Sequence, residues 1–332
     1  MKHINVALFV SDLGCPHRCS FCNQKTISGK ITPPTAADVE GAVKTAISTA
    51  ECNEGEIAFF GGSFTAIDRG YMLELLKKAG EYVSKGMFRG IRISTRPDCI
   101  DTDVLSLLKK YGVTSIELGC QSMDDEVLRL NNRGHVSDCV PEAAKLIKDY
   151  GFELGVQMMT GLYGDTPEKS IETAKKLIAL EPDTVRIYPT VVLENTELER
   201  LYRKGEYTPQ SLEEAVELCS ELLEMFNDKG IKVIRMGLHS GGNVEEGYVA
   251  GVYHPAFREL CESRIYLKNT EKELEKISGR DIEITVGSRY VSMLTGQKKS
   301  NIRRLNEKGY KVRIVQDDSY PKYKITVRGI EK

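Results

Sequence analysis

Asn5-Val6-Ala7-Leu8-Phe9-Val10 is a short apolar run that passes through Ser11-Asp12-Leu13 into Gly14-Cys15-Pro16-His17-Arg18-Cys19-Ser20-Phe21-Cys22-Asn23. The run has the length of a buried strand, and the loop after it carries cysteines at C-x3-C-x2-C spacing. A [4Fe–4S] cluster normally takes four thiolates. Three from one short loop therefore hold three irons and leave the fourth open to a ligand that is not protein. A structural zinc site closes a tetrahedron, commonly from two Cys/His pairs. His17 could complete such a set, but no second pair follows at zinc-ribbon spacing. Cys52, Cys99, Cys120, Cys139, Cys219 and Cys261 stand singly, with no signal peptide ahead of them. That pattern argues against a disulfide framework and reads as small buried hydrophobes in a reducing compartment.

Outward from this strand and loop, similar units repeat. Apolar runs recur at Asn5–Val10, Glu56–Phe60, Ile91–Ser94, Ser115–Leu118, Leu154–Met159 and Thr184–Tyr188. Between them, Ala36–Ala50, Tyr71–Ser84, Val104–Tyr111, Val140–Tyr150 and Glu168–Leu180 place apolar residues at helical spacing. Strands alternating with helices predict an α/β fold with a parallel sheet; six units make a partial (β/α)6, TIM-like barrel. Reactive groups of such barrels gather at the C-terminal ends of the strands. The distinctive motifs follow the apolar runs, as that rule requires.

The second run ends in Gly61-Gly62-Ser63-Phe64-Thr65, where paired glycines let backbone approach a ligand closely, although most such pairs are ordinary turns. The third ends in Ser94-Thr95-Arg96-Pro97-Asp98 and the fourth in Glu117-Leu118-Gly119-Cys120-Gln121-Ser122, followed by Asn131-Asn132-Arg133-Gly134-His135. A polar group buried without a partner costs about 2–7 kcal/mol, so Arg96, Gln121 and Arg133 need partners. A ligand's carboxylate and ribose would serve, because an arginine fork holds a carboxylate in two places. An internal ion pair to Asp98 or Glu117 would serve an arginine equally.

The cysteine spacing, with the aromatic Phe21 before the last cysteine, resembles the radical SAM superfamily. The strand-end motifs, with Ile187-Tyr188-Pro189-Thr190 and Tyr202-Arg203-Lys204-Gly205-Glu206-Tyr207 further on, resemble the radical SAM domain of the Elongator catalytic subunit and its short bacterial relatives. This likeness runs over roughly residues 1–270. It implies an enzyme in which Cys15, Cys19 and Cys22 bind a [4Fe–4S] cluster. It also implies that Gly61, Gly62, Ser63, Thr95, Arg96, Gln121, Arg133 and Tyr188 hold S-adenosylmethionine (SAM). In that family the cluster cleaves SAM to a 5′-deoxyadenosyl radical that modifies a tRNA uridine, with the electron supplied by a reductase such as flavodoxin or ferredoxin. The Elongator subunit spaces its cysteines more widely and adds an acetyltransferase domain without counterpart in these 332 residues. Its acyl chemistry is therefore not expected here. Oxygen-independent coproporphyrinogen III oxidase shares the Leu-Gly-x-Gln-Ser strand end, which keeps a small-molecule substrate open. A non-catalytic RNA-binding protein with a structural metal site is a further alternative.

With 41% apolar and 28% charged residues, the chain can bury a large core. No run approaches the ~18 apolar residues of a membrane span, so the expectation is a cytoplasmic protein. Residues 280–332 hold 13 Lys/Arg against 6 Asp/Glu, and residues 1–279 hold 33 against 42. A basic tail on an acidic body fits a tail that meets a polyanion such as tRNA or rRNA; a basic domain packing on an acidic one fits as well. Three segments are expected: a barrel over 1–230, an extension over 231–279 and a small α/β domain over 280–332. The extension carries an apolar strand, Lys232–Met236, and two histidines, His239 and His254, which are either proton carriers or loop residues. The last segment reads as strand Ile282–Val286, helix Ser288–Leu294, turn Gly296–Lys299, helix Asn301–Glu307, and strands Lys311–Gln316 and Tyr323–Val327. This order resembles the KH RNA-binding domain, which clamps a nucleic-acid backbone with a GxxG loop between two helices. Here the second glycine is replaced by Lys299, and Lys298, Lys299, Arg303 and Arg304 are the candidate phosphate contacts.

Overall fold

A computed structural model describes residues 5–330 apart from 12, 30–31, 50–51 and 239–241. Its main sheet is built from strands that are apolar on one face and polar or open on the other. They are β1 (Asn5–Phe9), β2 (Glu56–Phe60), β3 (Gly90–Thr95), β4 (Val113–Gln121), β5 (Glu153–Thr160) and β6 (Thr184–Pro189). Ile57, Phe59, Ile91, Ile93, Ile116, Leu118, Val185 and Ile187 are buried in one continuous core. Helices Ala36–Thr49, Arg69–Ser84, Thr102–Lys110, Cys139–Asp149, Pro167–Ile178 and Leu212–Asp228 contribute their apolar stripes to it. Several helices start at side-chain caps read easily from sequence: Asp68 and Asp101 accept the backbone N–H of Tyr71 and Val104, and Ser211 forms a capping box with Glu214.

After β6 come the short β7 (Val191–Leu193), then β8 (Lys232–Met236) and β9 (Tyr248–Gly251). The sheet order is β1-β2-β3-β4-β5-β6-β8, and every pair in it is parallel. The partial barrel thus has seven strands where six are expected. Lys232–Met236 pairs with β6 across the long helix Leu212–Asp228, joining the sheet instead of belonging to an extension. β7 and β9 form a separate antiparallel pair.

The other face of the sheet carries charge. Glu56, Arg92, Ser115, Glu117, Glu153 and Arg186 alternate with the core residues above and meet inside the barrel. Arg92 donates to Glu56 (2.7 Å), Glu153 (2.7 Å) and Glu117 (3.3 Å), and Ser115 donates to Glu56 at 2.7 Å. Gly155 lies beside this network because a Cβ there would stand 2.8 Å from the Cγ of Glu117. Barrel interiors of this class are more often layers of branched apolar residues; here a buried ion network fills the floor.

Burial pushes the Glu56 carboxyl up, but Arg92 and hydrogen bonds from Ser115, Arg92 and Arg89 outweigh that and hold it at about 2. A carboxyl depressed on folding stabilises the fold above its ordinary range and stops doing so as pH falls toward the folded value. From 4.5 down to about 2, the contribution lost is about 3 kcal/mol. Thermal melts of the wild type and Glu56→Gln across that range test this: the acid limb should be shallower in the variant.

The last three strands, β10 (Asp281–Val286), β11 (Lys311–Gln316) and β12 (Ile325–Gly329), form a second sheet in the order β11-β10-β12. Ile282, Ile284, Val286, Leu294, Leu305 and Val327 make its core together with Tyr266 and Leu267. The helix Phe257–Leu274 joins the two cores, giving Cys261 and Ile265 to the first and Tyr266 and Leu267 to the second. Two expected bounds shift. The helix begins as a 3-10 turn, Ser288–Tyr290, before Val291–Thr295, and the last strand starts at Ile325 instead of Tyr323. Tyr323 has a left-handed backbone, φ 65°, and its N–H donates to the Tyr266 hydroxyl at 2.8 Å, which takes it out of the ladder. Among the described residues no helix is long and apolar enough to cross a membrane.

Candidate active site

The C-terminal strand ends surround a cavity of about 1280 Å³. The loop after β1 forms one wall and is held from below. Ser20 and Asn131 are fully buried; the Ser20 N–H and hydroxyl donate to the backbone and side-chain oxygens of Asn131 at 3.1 and 2.7 Å. The Ser20 carbonyl accepts from Leu198 N–H at 2.7 Å. Neither residue is singled out by the sequence, because a Ser or Asn inside a motif looks like loop composition until its partner in space is known.

Cys15, Cys19 and Cys22 all line the cavity. Each sulfur has a different side-chain neighbour: Ser63 Oγ lies 3.5 Å from Cys15, Arg133 Nη1 donates to Cys19 at 3.3 Å, and Gln24 Nε2 donates to Cys22 at 3.3 Å. Among the described residues no three His, Cys, Asp or Glu side chains are grouped to hold one metal ion. His17 does not complete a zinc set; its ring lies against Gly134, where a Cβ would stand 2.0 Å from Cδ2. A [4Fe–4S] cluster asks for a different arrangement, with each thiolate on its own iron. Two buried donors without partners, Arg96 Nη1 and Arg133 Nε, lie on this side of the cavity and suit an anionic cluster or the carboxylate of a ligand. The donor set fits both.

Gly61, Gly62, Ser63, Thr95, Arg96, Gln121, Arg133 and Tyr188 also line the cavity. Three have surroundings the sequence does not predict, and a fourth, Arg96, takes the ion pair to Asp98 that the sequence left as one of two alternatives. Gly62 is needed for the chain's own packing, since a Cβ would stand 2.5 Å from the carbonyls of Val10 and Leu13; the close approach is of one loop to another. The Thr95 hydroxyl is engaged with Thr65 at 2.6 Å. Arg96 is not free to grip a ligand's carboxylate with both arms: its Nε and Nη2 hold Asp98 at 2.8 and 2.7 Å. Burial pushes the Asp98 carboxyl up, and the Arg96 fork outweighs that and holds it below its usual range. Gln121 ends β4 with φ 64°, at a register shift in the ladder to β5. Such backbone costs about 1–3 kcal/mol in a non-glycine residue and clusters at functional sites.

The cavity's charge is the property that sequence reading misses. Arg18, Lys25, Arg96, Arg133, Arg186 and Arg235 line it, and no Asp or Glu is among the described residues that do. Arg186 and Arg235 sit mid-strand, where a charge reads as a solvated edge, so only strand alternation turned toward the barrel interior could have pointed to them.

Other expected positions lie elsewhere. His254 is not in the cavity wall; its Nδ1 accepts the Ala256 N–H at 3.1 Å at the start of the helix Phe257–Leu274. His239 is outside the described residues. Of the single cysteines, Cys52, Cys120, Cys219 and Cys261 are buried as expected, whereas Cys99, which closes the 3-10 turn Pro97–Cys99, and Cys139, which opens the helix Cys139–Asp149, are partly exposed. Lys298, Lys299, Arg303 and Arg304 are exposed on the C-terminal unit.

The model of the radical SAM superfamily matches residues 13–177, and that of the radical SAM C-terminal domain matches residues 182–267. The tRNA uridine(34) acetyltransferase of Methanocaldococcus jannaschii is 29% identical over 257 residues, covering 65% of this chain and 47% of its own length. An uncharacterised protein of the same organism is 33% identical over 232 residues, 64% of this chain and 69% of its own. Human Elongator complex protein 3 is 37% identical over 139 residues, 41% of this chain and 25% of its own. The chain spans about half the length of the acetyltransferases it matches. Among solved structures, the archaeal Methanocaldococcus infernus Elp3 shares the fold with a TM-score of 0.64 at 23% identity, over 86% of this chain and 66% of its own. With one superfamily model running from the cysteine loop through β5 and its companion continuing through β6 and β8, the chain belongs to the radical SAM superfamily of enzymes.

Proposed function

We propose that this enzyme holds a [4Fe–4S] cluster on Cys15, Cys19 and Cys22, binds SAM beside it, and modifies a base of an RNA, with tRNA favoured. The observation that carries the reading is a cavity lined by three thiols and six cations, two of which, Arg96 and Arg186, are held by Asp98 and Glu117 behind the wall, with no carboxylate among its described lining residues, in a chain whose net charge is −2. Such a wall suits anionic ligands, and relatives named for tRNA uridine(34) support RNA over a metabolite. When bound, the cluster would supply the electron that cleaves SAM to methionine and a 5′-deoxyadenosyl radical. The chain's own part is positioning. Arg133 lies between Cys19 and the Gly119 carbonyl and leaves Nε for a ligand; Arg96, braced by Asp98, leaves Nη1. The strained Gln121 turns its backbone at the mouth.

In this reading residues 1–230, extended by β8, hold the chemistry, and residues 280–332 guide RNA. Among the described residues Lys298, Lys299, Arg303 and Arg304 form no ion pair, and all four face solvent. Lys298 and Lys299 both have left-handed backbone, φ 51° and 60°, so the turn keeps a glycine-like path while presenting two ammonium groups to phosphates. The reductant would be flavodoxin or ferredoxin in the cytoplasm.

The test is the yield of 5′-deoxyadenosine from SAM by anaerobically reconstituted, dithionite-reduced protein, with and without small cellular RNA. Stimulation by RNA is expected. Cleavage indifferent to RNA would move the substrate to small molecules of the coproporphyrinogen kind, and no cleavage by protein holding four irons would sink the enzyme reading.

A further inference from the structure

β8 is irregular. Val185 of β6 pairs with Val233 and the next residue, Arg186, pairs with Arg235, so Ile234 is an extra residue between them. A bulge of this kind reverses the alternation beyond it and is common at barrel rims, where it re-aims a side chain. Without the extra residue Arg186 would pair with Ile234, and Arg235 would turn to the helix layer. With it, Arg235 shares an interior row with Gly119, Gln157 and Arg186 and lines the cavity.

The two arginines are answered differently. Arg186 is held by Glu117 through Nε at 2.6 Å and Nη2 at 2.8 Å and lies over the Phe60 ring. Arg235 makes no hydrogen bond or ion pair among the described residues, and no carboxylate stands in the described cavity wall. Like charges directly opposite on neighbouring strands are unfavourable, and a guanidinium turned inward without an anion keeps that cost. β1 and β8 are the two opposite edges of the sheet. The cysteine loop follows β1, and Arg96 and Arg133 contact or flank it, so the β8 edge is the part of the cavity left to a substrate.

We infer that Arg235 is the phosphate anchor of the substrate subsite, taking a phosphodiester oxygen pair in its fork and setting the nucleotide across the cavity from the cysteines. This deepens the RNA reading and rests on it. It is a binding role, so binding reads it.

The experiment titrates the reconstituted 332-residue chain with fluorescein-labelled octauridylate over a series of salt concentrations. Each phosphate contact to a single strand contributes about 0.7 to the slope of log affinity against log salt. Arg235→Gln is expected to weaken binding and lower the slope by about 0.7, and Arg235→Lys to keep the slope while losing part of the affinity. A slope unchanged in Arg235→Gln overturns the anchor and leaves the RNA reading standing. A slope lost equally in Arg235→Lys overturns it also, because the charge would then not be the cause. Absence of salt-dependent binding by the wild type sinks both.

Discussion

A Cys19→Ala chain should reconstitute without its cluster: iron falls from about four per chain to background, the cluster's visible absorption disappears, and 5′-deoxyadenosine formation drops to the level of the blank. Cys19 is the buried member of the three and the one whose sulfur accepts from Arg133. Two thiolates on a cluster that already has one open iron leave half of it without protein ligands. The fold should survive, since the change removes one sulfur and costs about 1 kcal/mol. Circular dichroism and a melting curve near the wild type's separate loss of the site from loss of the fold. Cys219→Ala is the control. Its thiol is buried away from the cavity, where burial pushes it up to about 12, so its iron content should match the wild type. SAM cleavage persisting in Cys19→Ala would remove the three-cysteine site from consideration.

Glu117→Leu should destabilise the barrel strongly. Its carboxylate is 1% exposed and accepts from Arg186, Arg92 and Gln157. Without it Arg186, largely buried at the cavity wall, loses its carboxylate, and removing one partner of a buried pair costs up to about 3–5 kcal/mol. For a chain of this size that lowers the melting temperature by on the order of 10 °C. Arg92 keeps Glu56 and Glu153 and suffers less. Combining Glu117→Leu with Arg186→Met removes both charges, and replacing a buried pair by apolar residues is often nearly neutral. The double variant should recover most of the loss. If it melts as low as Glu117→Leu alone, the cost lies in packing around Gly155 and not in the stranded charge.

Much of this architecture is legible locally. Ile91, Ile93, Ile116 and Leu118 alternate with polar residues, and amphipathic segments between the runs alternate with them, so a parallel half-barrel follows from periodicity. The cysteine spacing survives any modest error in strand bounds because it belongs to one loop. Lys232–Met236 is equally readable as a strand. Its place in the sheet is not, because nothing in its own residues says which neighbour it pairs with after the intervening helices.

The same division runs through the site. Arg96 and Arg133 look alike as strand-end arginines, yet Asp98 occupies two arms of one while the other reaches a cysteine sulfur. His254 reads equally as a proton carrier or a loop residue until its ring is found accepting a backbone N–H. Nothing in the strand Lys232–Met236 marks Arg235 for the cavity, and it is the extra residue Ile234 that turns it inward. What the sequence determined by itself was which residue types recur at which spacing: the strands, the helices, the three-thiol loop and the basic tail, all set by contacts within a few residues. What only the tertiary structure decided was which charges meet. Pairing, burial and the direction of a side chain depend on groups brought together from strands far apart in the chain, and a one-residue bulge is enough to reverse them.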